Sequence, residues 1–507
     1  MKRKIITGLI LGATLFSGSA FLNSCNDALE IEQPGQVLDE DVFVNVANMK
    51  SYLNGAIYAN LEPSYGNYLT AVLTDEVRPG SGSGGQEFAL HRYFLDNTNT
   101  QTGQIWAWNY LVINRVGRFL EGAKKVTPKP SEVAEYNKML AEARVIRAYS
   151  YLELQKYFST DMKNENALGV MLLPAIVEDP LNVNLPRVSN KVIFDFINAD
   201  LDFARGMLTY GSDAYYANKT FVAAVAARAN LYKGNYALAK QYAQEAIGNA
   251  GFPLTPSNPI TTGTLTVGTA QWNSAFYNIS TAFNPYRQMW SDINKGESIF
   301  SLVRMVPGSG LAVGTFWNTN QSSISGNPMW SWGMKTFGLF NVNGDVRRYA
   351  YVDPTSTAGE KVIDKFPGKV GSATRNDIKV IRLSEMYFIL AESEVEAGNL
   401  TAAATNIQAI RNARFYQNTP ATPTYANAQQ AYADILKERR IELALEGHRY
   451  IDLKRLAVKA GVTMDRDLIL DDQVATSNLP NGSYKYTLPI PIQEMSANPA
   501  MTQNPGY

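Results

Sequence analysis

Two segments far apart in this chain share one pattern of small and turn-forming residues, and that pattern constrains the fold more than any other feature. The first segment is residues 221–251 and the second is residues 381–413. Aligning their Gly-Asn turns brings equivalent residues together: Ala227 with Ala391, Gly234 with Gly398, Asn235 with Asn399 and Ala239 with Ala403. Each segment therefore predicts a helix, a tight turn and a second helix with Ala where the two helices cross.

Small residues at a helix crossing let two helices approach closely, as in tetratricopeptide-type hairpins of about 34 residues. The two copies are not in tandem. We therefore predict a mainly α fold, in which tetratricopeptide-like hairpins form a superhelical scaffold interrupted by insertions. Apolar residues at i, i+3 and i+4 predict further one-sided helices within residues 49–57, 105–119 and 132–158.

Helical periodicity fades between residues 254 and 379, where Gly, Ser, Thr, Asn and Pro are frequent. Such a long irregular stretch in a compact protein is usually functional or disordered. It contains five of the seven tryptophans, which argues for order: Trp272, Trp290, Trp317, Trp330 and Trp332. We expect a loop-rich, aromatic-rich region packed on the helices and forming a binding surface.

Charge and residue counts exclude several classes of function. The 46 Lys and Arg residues equal the 46 Asp and Glu residues, so the chain lacks the cationic excess that nucleic-acid binding requires. One Cys and two His residues cannot provide an internal disulfide, a Cys-based zinc site or an HExxH motif. We predict no cofactor and no metal site.

The N-terminus has the order of a secretory signal over residues 1–24. Lys2, Arg3 and Lys4 precede an apolar stretch of about 12 residues, whereas a membrane-spanning helix needs about 20. The only cysteine follows in Leu22-Asn23-Ser24-Cys25, which resembles a bacterial lipobox. We expect acylation of Cys25 and a body tethered to a membrane. The alternative is cleavage after Ala20, which would leave an unpaired thiol in an oxidising compartment.

The glycine-rich run at residues 80–85 satisfies the GxGxxG pattern. A dinucleotide site also requires a strand before this run and a helix after it. Pro79 precedes the run and no such unit surrounds it, so we interpret it as a flexible loop.

The densest charged stretch is residues 433–455, where Glu438, Glu442 and Glu446 recur at i, i+4 spacing. A catalytic carboxylate pair is one interpretation. Adjacent acids and arginines on a helix more often form structural ion pairs, and we favour that interpretation. Gly447 is predicted to end the helix, with His448 and Arg449 just past it.

Two groups of residues are candidates for contacting a ligand. The aromatic group could stack on the apolar faces of sugar rings, although large aromatics equally often fill cores; it contains Tyr286, Trp290, Trp317, Trp330 and Trp332. The second group, Arg78, His91 and Tyr93, lies near an expected loop, where binding groups are common.

Taken in order, several blocks resemble the SusD/RagB family of outer-membrane nutrient-binding lipoproteins. They are Cys25, residues 144–151, the hairpin at 231–236, and residues 297–302, 381–392 and 438–455, followed by the C-terminal Pro489-Ile-Pro491 and Gln503-Asn-Pro-Gly-Tyr507. The resemblance implies an N-terminal helical region at 25–240 and a C-terminal region at 270–507 that includes the loop-rich insert.

The resemblance also implies a function without catalysis. Proteins of this family act as lids over a SusC-like TonB-dependent transporter and capture oligosaccharides outside the cell, held to the outer membrane by lipid on a residue equivalent to Cys25. Some relatives take peptides or other nutrients. Three alternatives stay open from the residues alone: a peptide binder on the same import route, a glycoside hydrolase with paired carboxylates, and a structural or adhesive surface protein.

Overall fold

The computed structural model describes residues 42–176, 184–308, 310–317, 328–472 and 478–507. The predicted signal segment and Cys25 lie outside these ranges. Helices dominate the described ranges: α1 (Val46–Tyr52), α2 (Ser64–Leu73), α3 (Phe88–His91), α4 (Thr100–Ala123), α5 (Val133–Phe158), α6 (Asn190–Met207), α7 (Lys219–Lys233), α8 (Tyr236–Asn249), α9 (Ala270–Phe276), α10 (Pro285–Trp290), α11 (Met334–Phe340), α12 (Arg347–Ala350), α13 (Leu383–Glu396), α14 (Leu400–Arg414), α15 (Ala428–Glu442), α16 (Arg449–Ala460) and α17 (Ile492–Ala497). Within those ranges, no helix combines the length and the apolar character needed to cross a membrane.

Short antiparallel strand pairs connect the helices. The strands are β1 (Val77–Pro79), β2 (Leu168–Met171), β3 (Arg187–Ser189), β4 (Ser298–Leu302), β5 (Trp330–Trp332) and β6 (Ile378–Arg382). β1 pairs with β5, β2 with β3, and β4 with β6. Two of these pairs fasten the loop-rich region to the scaffold, because β5 joins the strand that follows α2, and β4 joins the strand that precedes α13.

The scaffold is a series of antiparallel helices. Packing runs from α4 to α5 to α6, then from α7 to α8, and from α13 to α14. Helix α8 packs directly on α13, so the two matching hairpins are neighbours in space. Lys240 of α8 pairs with Glu394 of α13 at 2.6 Å. The predicted superhelix of sequence-distant hairpins is therefore confirmed.

The shared turn explains the sequence match. Gly234 and Gly398 both end their helices with φ of +78°, a left-handed conformation that glycine adopts without steric cost. Asn235 then caps the next helix, since its side-chain oxygen accepts a hydrogen bond from the Leu238 backbone N–H.

A buried ion-pair network joins the end of α15 to four other parts of the chain. The Glu442 carboxylate accepts hydrogen bonds from Arg382 at the end of β6 at 2.7 Å, and from Arg414 at the end of α14 at 2.8 Å. Arg347 of α12 contacts it at 3.1 Å. Glu297, before β4, also binds both Arg382 and Arg414. The structural interpretation of residues 433–455 is thus confirmed.

The predicted end of this helix is wrong. Helix α15 ends at Glu442 rather than at Gly447. The Glu442 carbonyl accepts hydrogen bonds from the Arg382 guanidinium at 2.8 Å and from the Tyr351 hydroxyl at 3.1 Å. These tertiary donors satisfy a carbonyl that a longer helix would have bonded internally. A turn with Leu445 at φ +62° follows, and Arg449 begins α16.

Replacing Glu442 with Gln should lower the free energy of unfolding by about 3 to 5 kcal/mol, because the variant leaves buried arginines with too little negative charge. Urea unfolding of the two proteins measures this. The exposed Lys191–Asp195 pair provides a matched control, and Asp195→Asn should cost less than about 1 kcal/mol. Equal effects of the two substitutions would contradict the network's role.

A second prediction concerns Glu76, a buried carboxyl beside Asp75. Burial raises the pKa of Glu76 to about 7 from its ordinary 4.5; the Asp75 carboxylate raises this pKa further, while the Leu445 N–H bond and Arg449 lower it. The native state therefore holds a proton that the unfolded chain releases between these pH values. The free energy of unfolding should fall as pH rises through that window and level off above it.

Glu76→Gln keeps an oxygen that can accept the 3.0 Å hydrogen bond from the Leu445 N–H but cannot ionise. Relative to the parent protein, the variant should gain about 3 kcal/mol of stability between pH 4.5 and pH 8. Urea unfolding at both pH values tests this. A stability difference that is the same at both would show that Glu76 is already ionised in the folded protein.

Candidate functional site

The four tryptophans expected to form a stacking platform lie in the core, each with 1% or less of its surface exposed: Trp290, Trp317, Trp330 and Trp332. The Trp330 indole donates to the Tyr68 hydroxyl at 2.9 Å. The Trp332 indole donates to the Tyr351 carbonyl at 2.9 Å. The structure corrects the platform prediction, because rings enclosed in this way have no free face for a sugar.

Three other predicted contact residues are also buried. Tyr286 hydrogen-bonds to the Tyr351 hydroxyl at 2.6 Å, and the Tyr93 hydroxyl lies 3.0 Å from the Met464 sulfur. His91 lies in the short helix α3 with Nδ1 3.0 Å from the Val72 carbonyl. Burial, together with Arg466, lowers the pKa of His91 to about 3, so it is neutral. These positions contradict the prediction that the three side chains contact a ligand.

Arg78 differs from the other candidates because it is partly exposed. Its guanidinium donates to the carbonyls of Leu470, at 2.7 Å, and Gly359. Arg78 therefore ties together two loops at the surface. It stays a predicted ligand contact.

The structure reveals a different aromatic site, which we call the tyrosine groove. It has a volume of about 480 Å³ and is lined by Asn54, Tyr58, Ala59, Tyr215, Tyr216, Leu302, Val303, Arg304 and Met305. Pockets of this volume suit small ligands. The exposed fraction is 38% for Tyr215 and 39% for Tyr216, so their rings are accessible where the predicted tryptophans are not.

One wall of the tyrosine groove comes from an irregular helix that follows α1. The chain forms a π-helical turn over Leu53–Ile57 and then a 3₁₀ turn over Tyr58–Asn60. π-turns within helices are often found at functional sites, because the extra residue per turn redirects side chains. Here the change of helix type presents Asn54, Tyr58 and Ala59 to the groove.

Tyr58 connects the irregular helix to α5 and to the loop at residues 211–217. Its hydroxyl donates to the Glu142 carboxylate at 2.5 Å and accepts a hydrogen bond from the Ala217 N–H at 2.9 Å. Its ring meets the Tyr216 ring edge to face, with centroids 5.6 Å apart, a favourable aromatic geometry. Tyr58 therefore holds the backbone at Ala217 and the ring orientation of Tyr216.

The loop at residues 211–217 is further fixed by its own turn and by β4. The Asp213 carboxylate accepts the Tyr215 N–H at 2.8 Å, a local turn typical of Asp. The Ala214 carbonyl accepts the Ser301 N–H at 2.7 Å. The two tyrosines are thus presented by a loop that is bonded on both sides, which lowers the entropy lost when a ligand binds.

The opposite wall continues from the end of β4. Met305 is 65% exposed and Val303 is 42% exposed, which gives an apolar rim facing the tyrosines. Arg304 lies beneath this rim, and its guanidinium pairs with the Glu62 carboxylate at 2.8 Å. Among the described residues of the lining, Arg304 is the one cation, and Glu62 neutralises it.

The groove offers groups that can stack and form hydrogen bonds. Burial raises the pKa of Tyr215 to about 12, and the carboxylates of Asp377, Asp292 and Asp213 add to the rise. Its phenol therefore keeps a proton that it can donate. Among the described residues that line the groove, none is an Asp, Glu, His or Cys, whereas glycoside hydrolysis typically requires two carboxyl groups.

Sequence reasoning missed Tyr215 and Tyr216. The available signal was an aromatic pair inside a polar loop, Gly211-Ser-Asp-Ala-Tyr-Tyr-Ala-Asn218, just before a helix N-cap. The groove also depends on Tyr58 and Met305. Both are distant in sequence from this loop, so the sequence did not indicate that they lie beside it.

Comparisons with known proteins agree with this fold. The SusD family model matches residues 353–507. SusD-like protein P2 of Formosa agariphila is 24% identical, with 100% of both chains covered. The chain is therefore similar to SusD-like proteins over its whole length, and residues 353–507 match the SusD family model.

Solved structures show the same SusD fold. A SusD superfamily protein from Bacteroides thetaiotaomicron superposes with a TM-score of 0.71 at 22% identity, covering 91% of this chain and 100% of that one. A SusD-like carbohydrate binding protein from Bacteroides vulgatus superposes with a TM-score of 0.69 at 18% identity, covering 90% of this chain and 97% of that one. The mainly helical, tetratricopeptide-like architecture predicted from the sequence is confirmed.

The burial of the tryptophans leads to a prediction about stability. Trp330→Ala should lower the free energy of unfolding by about 3 to 5 kcal/mol, because it opens a cavity in the core. Phe94 is 73% exposed, so Phe94→Ala should change stability by less than about 0.5 kcal/mol. Urea unfolding compares the two. Native stability in Trp330→Ala together with lost ligand binding would restore the platform interpretation.

Proposed function

We propose that this SusD-like protein captures oligosaccharides in the tyrosine groove and delivers them, without catalysis, to a SusC-like TonB-dependent outer-membrane transporter. The observation that carries this proposal is the pair of exposed rings of Tyr215 and Tyr216 on a loop whose backbone is held by hydrogen bonds. The described surroundings of the groove offer binding groups and no catalytic pair.

The groove's chemistry fits a saccharide for two reasons. Aromatic faces stack on the apolar C–H faces of pyranose rings, and a fixed ring loses little entropy in doing so. The phenol hydroxyls and the Asn54 amide provide neutral donors and acceptors for sugar hydroxyls. Because Arg304 is already paired with Glu62, the lining favours a neutral ligand over an acidic one.

The comparisons support the same function. A solved protein of the same fold is a SusD-like carbohydrate binding protein, and the family match extends through the C-terminal residues. Binding sites differ between family members, so the assignment of residues rests on the groove itself.

We also propose that acylated Cys25 anchors the protein in the outer membrane, with the body facing the exterior. The lipobox-like sequence before Cys25 and the polar residues after it support this arrangement. An exterior position would place a captured oligosaccharide beside the transporter. Nucleic acid is not a proposed partner, because the charge is balanced.

The first experiment is affinity electrophoresis of the full chain in detergent against a panel of neutral and acidic polysaccharides. We expect at least one neutral polysaccharide to retard the protein without being cleaved. Tyr215→Ala and Tyr216→Ala should each weaken that retardation about tenfold, since stacking on an aromatic ring is worth about 1 to 1.5 kcal/mol.

Tyr484 provides the matched control because it is also a surface tyrosine, 46% exposed, and does not line the groove. Tyr484→Ala should bind like the parent protein. Loss of retardation in the control alone would move the site away from the groove. If no polysaccharide binds and a peptide mixture does, the protein is a peptide binder on the same import route; product formation would indicate a hydrolase.

A further inference from the structure

A second groove lies beside the first turns of α4, and we call it the Trp106 groove. It runs between the first turns of α4 and the segment before α17, with a volume of about 470 Å³. Its lining shares no residue with the tyrosine groove. The residues that matter for its chemistry are Thr100, Gly103, Gln104, Trp106, Tyr110 and Gln493.

The floor of this groove is a fixed aromatic pair that is largely enclosed: Trp106 is 4% exposed and Tyr110 is 9% exposed, so only a small part of each ring reaches the groove. Trp106 and Tyr110 lie one helical turn apart with ring centroids 4.8 Å from each other. The Trp106 indole donates to the Glu494 carboxylate at 3.0 Å, and that carboxylate also accepts from the Asn498 amide at 3.1 Å. Contacts within the protein therefore hold the floor in place without a ligand.

Gly103 leaves the groove open. It lies in the first turns of α4, where glycine is less favourable than alanine. A Cβ at this position would meet nothing closer than the Gln493 side-chain oxygen, at 3.9 Å. Packing does not require glycine here, but a longer side chain would fill the space between α4 and Gln493.

The walls carry neutral polar groups whose hydrogen bonds are not used within the protein. Among the described residues, the side-chain amides of Gln104 and Gln493 and the Thr100 hydroxyl have no partner. An amide donates and accepts, as a sugar hydroxyl does. The one charged residue in the lining, Glu494, is already bonded to Trp106 and Asn498.

We propose that the Trp106 groove is a second saccharide-binding site, which takes a neutral glycan chain independently of the tyrosine groove. The hydrogen-bonding amides and hydroxyl of the walls, above a largely enclosed apolar floor, match a neutral polyhydroxy ligand held mainly by hydrogen bonds. A peptide would be favoured by a strand edge offering backbone groups, and no strand lines this groove among the described residues. The inference rests on the proposed saccharide function and adds a second site to it.

The test uses isothermal titration calorimetry of the full chain in detergent with neutral hexasaccharides of glucose, xylose and mannose, and with hexagalacturonate as the acidic probe. The Tyr215→Ala/Tyr216→Ala double variant should still bind a neutral hexasaccharide. Adding Gly103→Gln, which fills the groove with a neutral side chain, should lower this residual affinity at least tenfold. Adding Gly103→Ala instead should leave it within twofold, because the structure accommodates a Cβ.

Several outcomes would overturn the proposal, and they distinguish failure of the second site from failure of the saccharide function itself. If the parent protein binds a hexasaccharide and the double tyrosine variant binds none, the saccharide function survives and the second site does not exist. Residual binding that Gly103→Gln leaves unchanged places the second site elsewhere. Residual binding of hexagalacturonate alone refutes the neutral ligand. If the parent protein binds no saccharide, both assignments fail.

Discussion

The buried pairing of Glu442 and Glu297 with Arg382 and Arg414 is the interaction on which the rest of the structure depends. Its members come from β6, from the ends of α14 and α15, and from the residue before β4. Burial opposes ionisation, but Arg414 and Arg382 lower the pKa of Glu442 well below its usual range. The side chains therefore stay charged. They specify how the loop-rich region docks on the hairpins, because removing one carboxylate would leave the buried guanidinium groups with too little negative charge.

This docking also determines which surfaces are available for binding. Once β4 and β6 pair, the residues that follow β4 are held so that Arg304 is buried and Met305 is exposed. Met305 then lies beside the loop at residues 211–217. The Ser301 N–H, on the same strand, holds that loop through the Ala214 carbonyl. One short strand thus provides a wall of the groove and fixes the wall that faces it.

The sequence predicted the features that depend on local physics. Gly234 and Gly398 revealed a shared turn because a left-handed residue between two helices strongly favours glycine, and the charged run at residues 433–455 predicted ion pairs. The aromatic site was not predictable in the same way. Trp330 and Trp332 are two residues apart on a strand and share one face, so pairing of β5 with β1 buries both. The position of Tyr216 likewise depends on Tyr58, which is far away in the sequence and contacts the Tyr216 ring and the Ala217 backbone.

The contact between α8 and α13 has a consequence for how the chain folds. Each hairpin consists of local contacts and can form quickly, but joining α8 to α13 closes a loop that contains the entire tryptophan-rich region. Contacts between residues so distant in sequence slow folding, because the entropy of the intervening chain is lost before the contact stabilises it. During synthesis, the α13-facing side of α8 is uncovered until the C-terminal half emerges, so the N-terminal hairpins present an unpaired helical surface for that time.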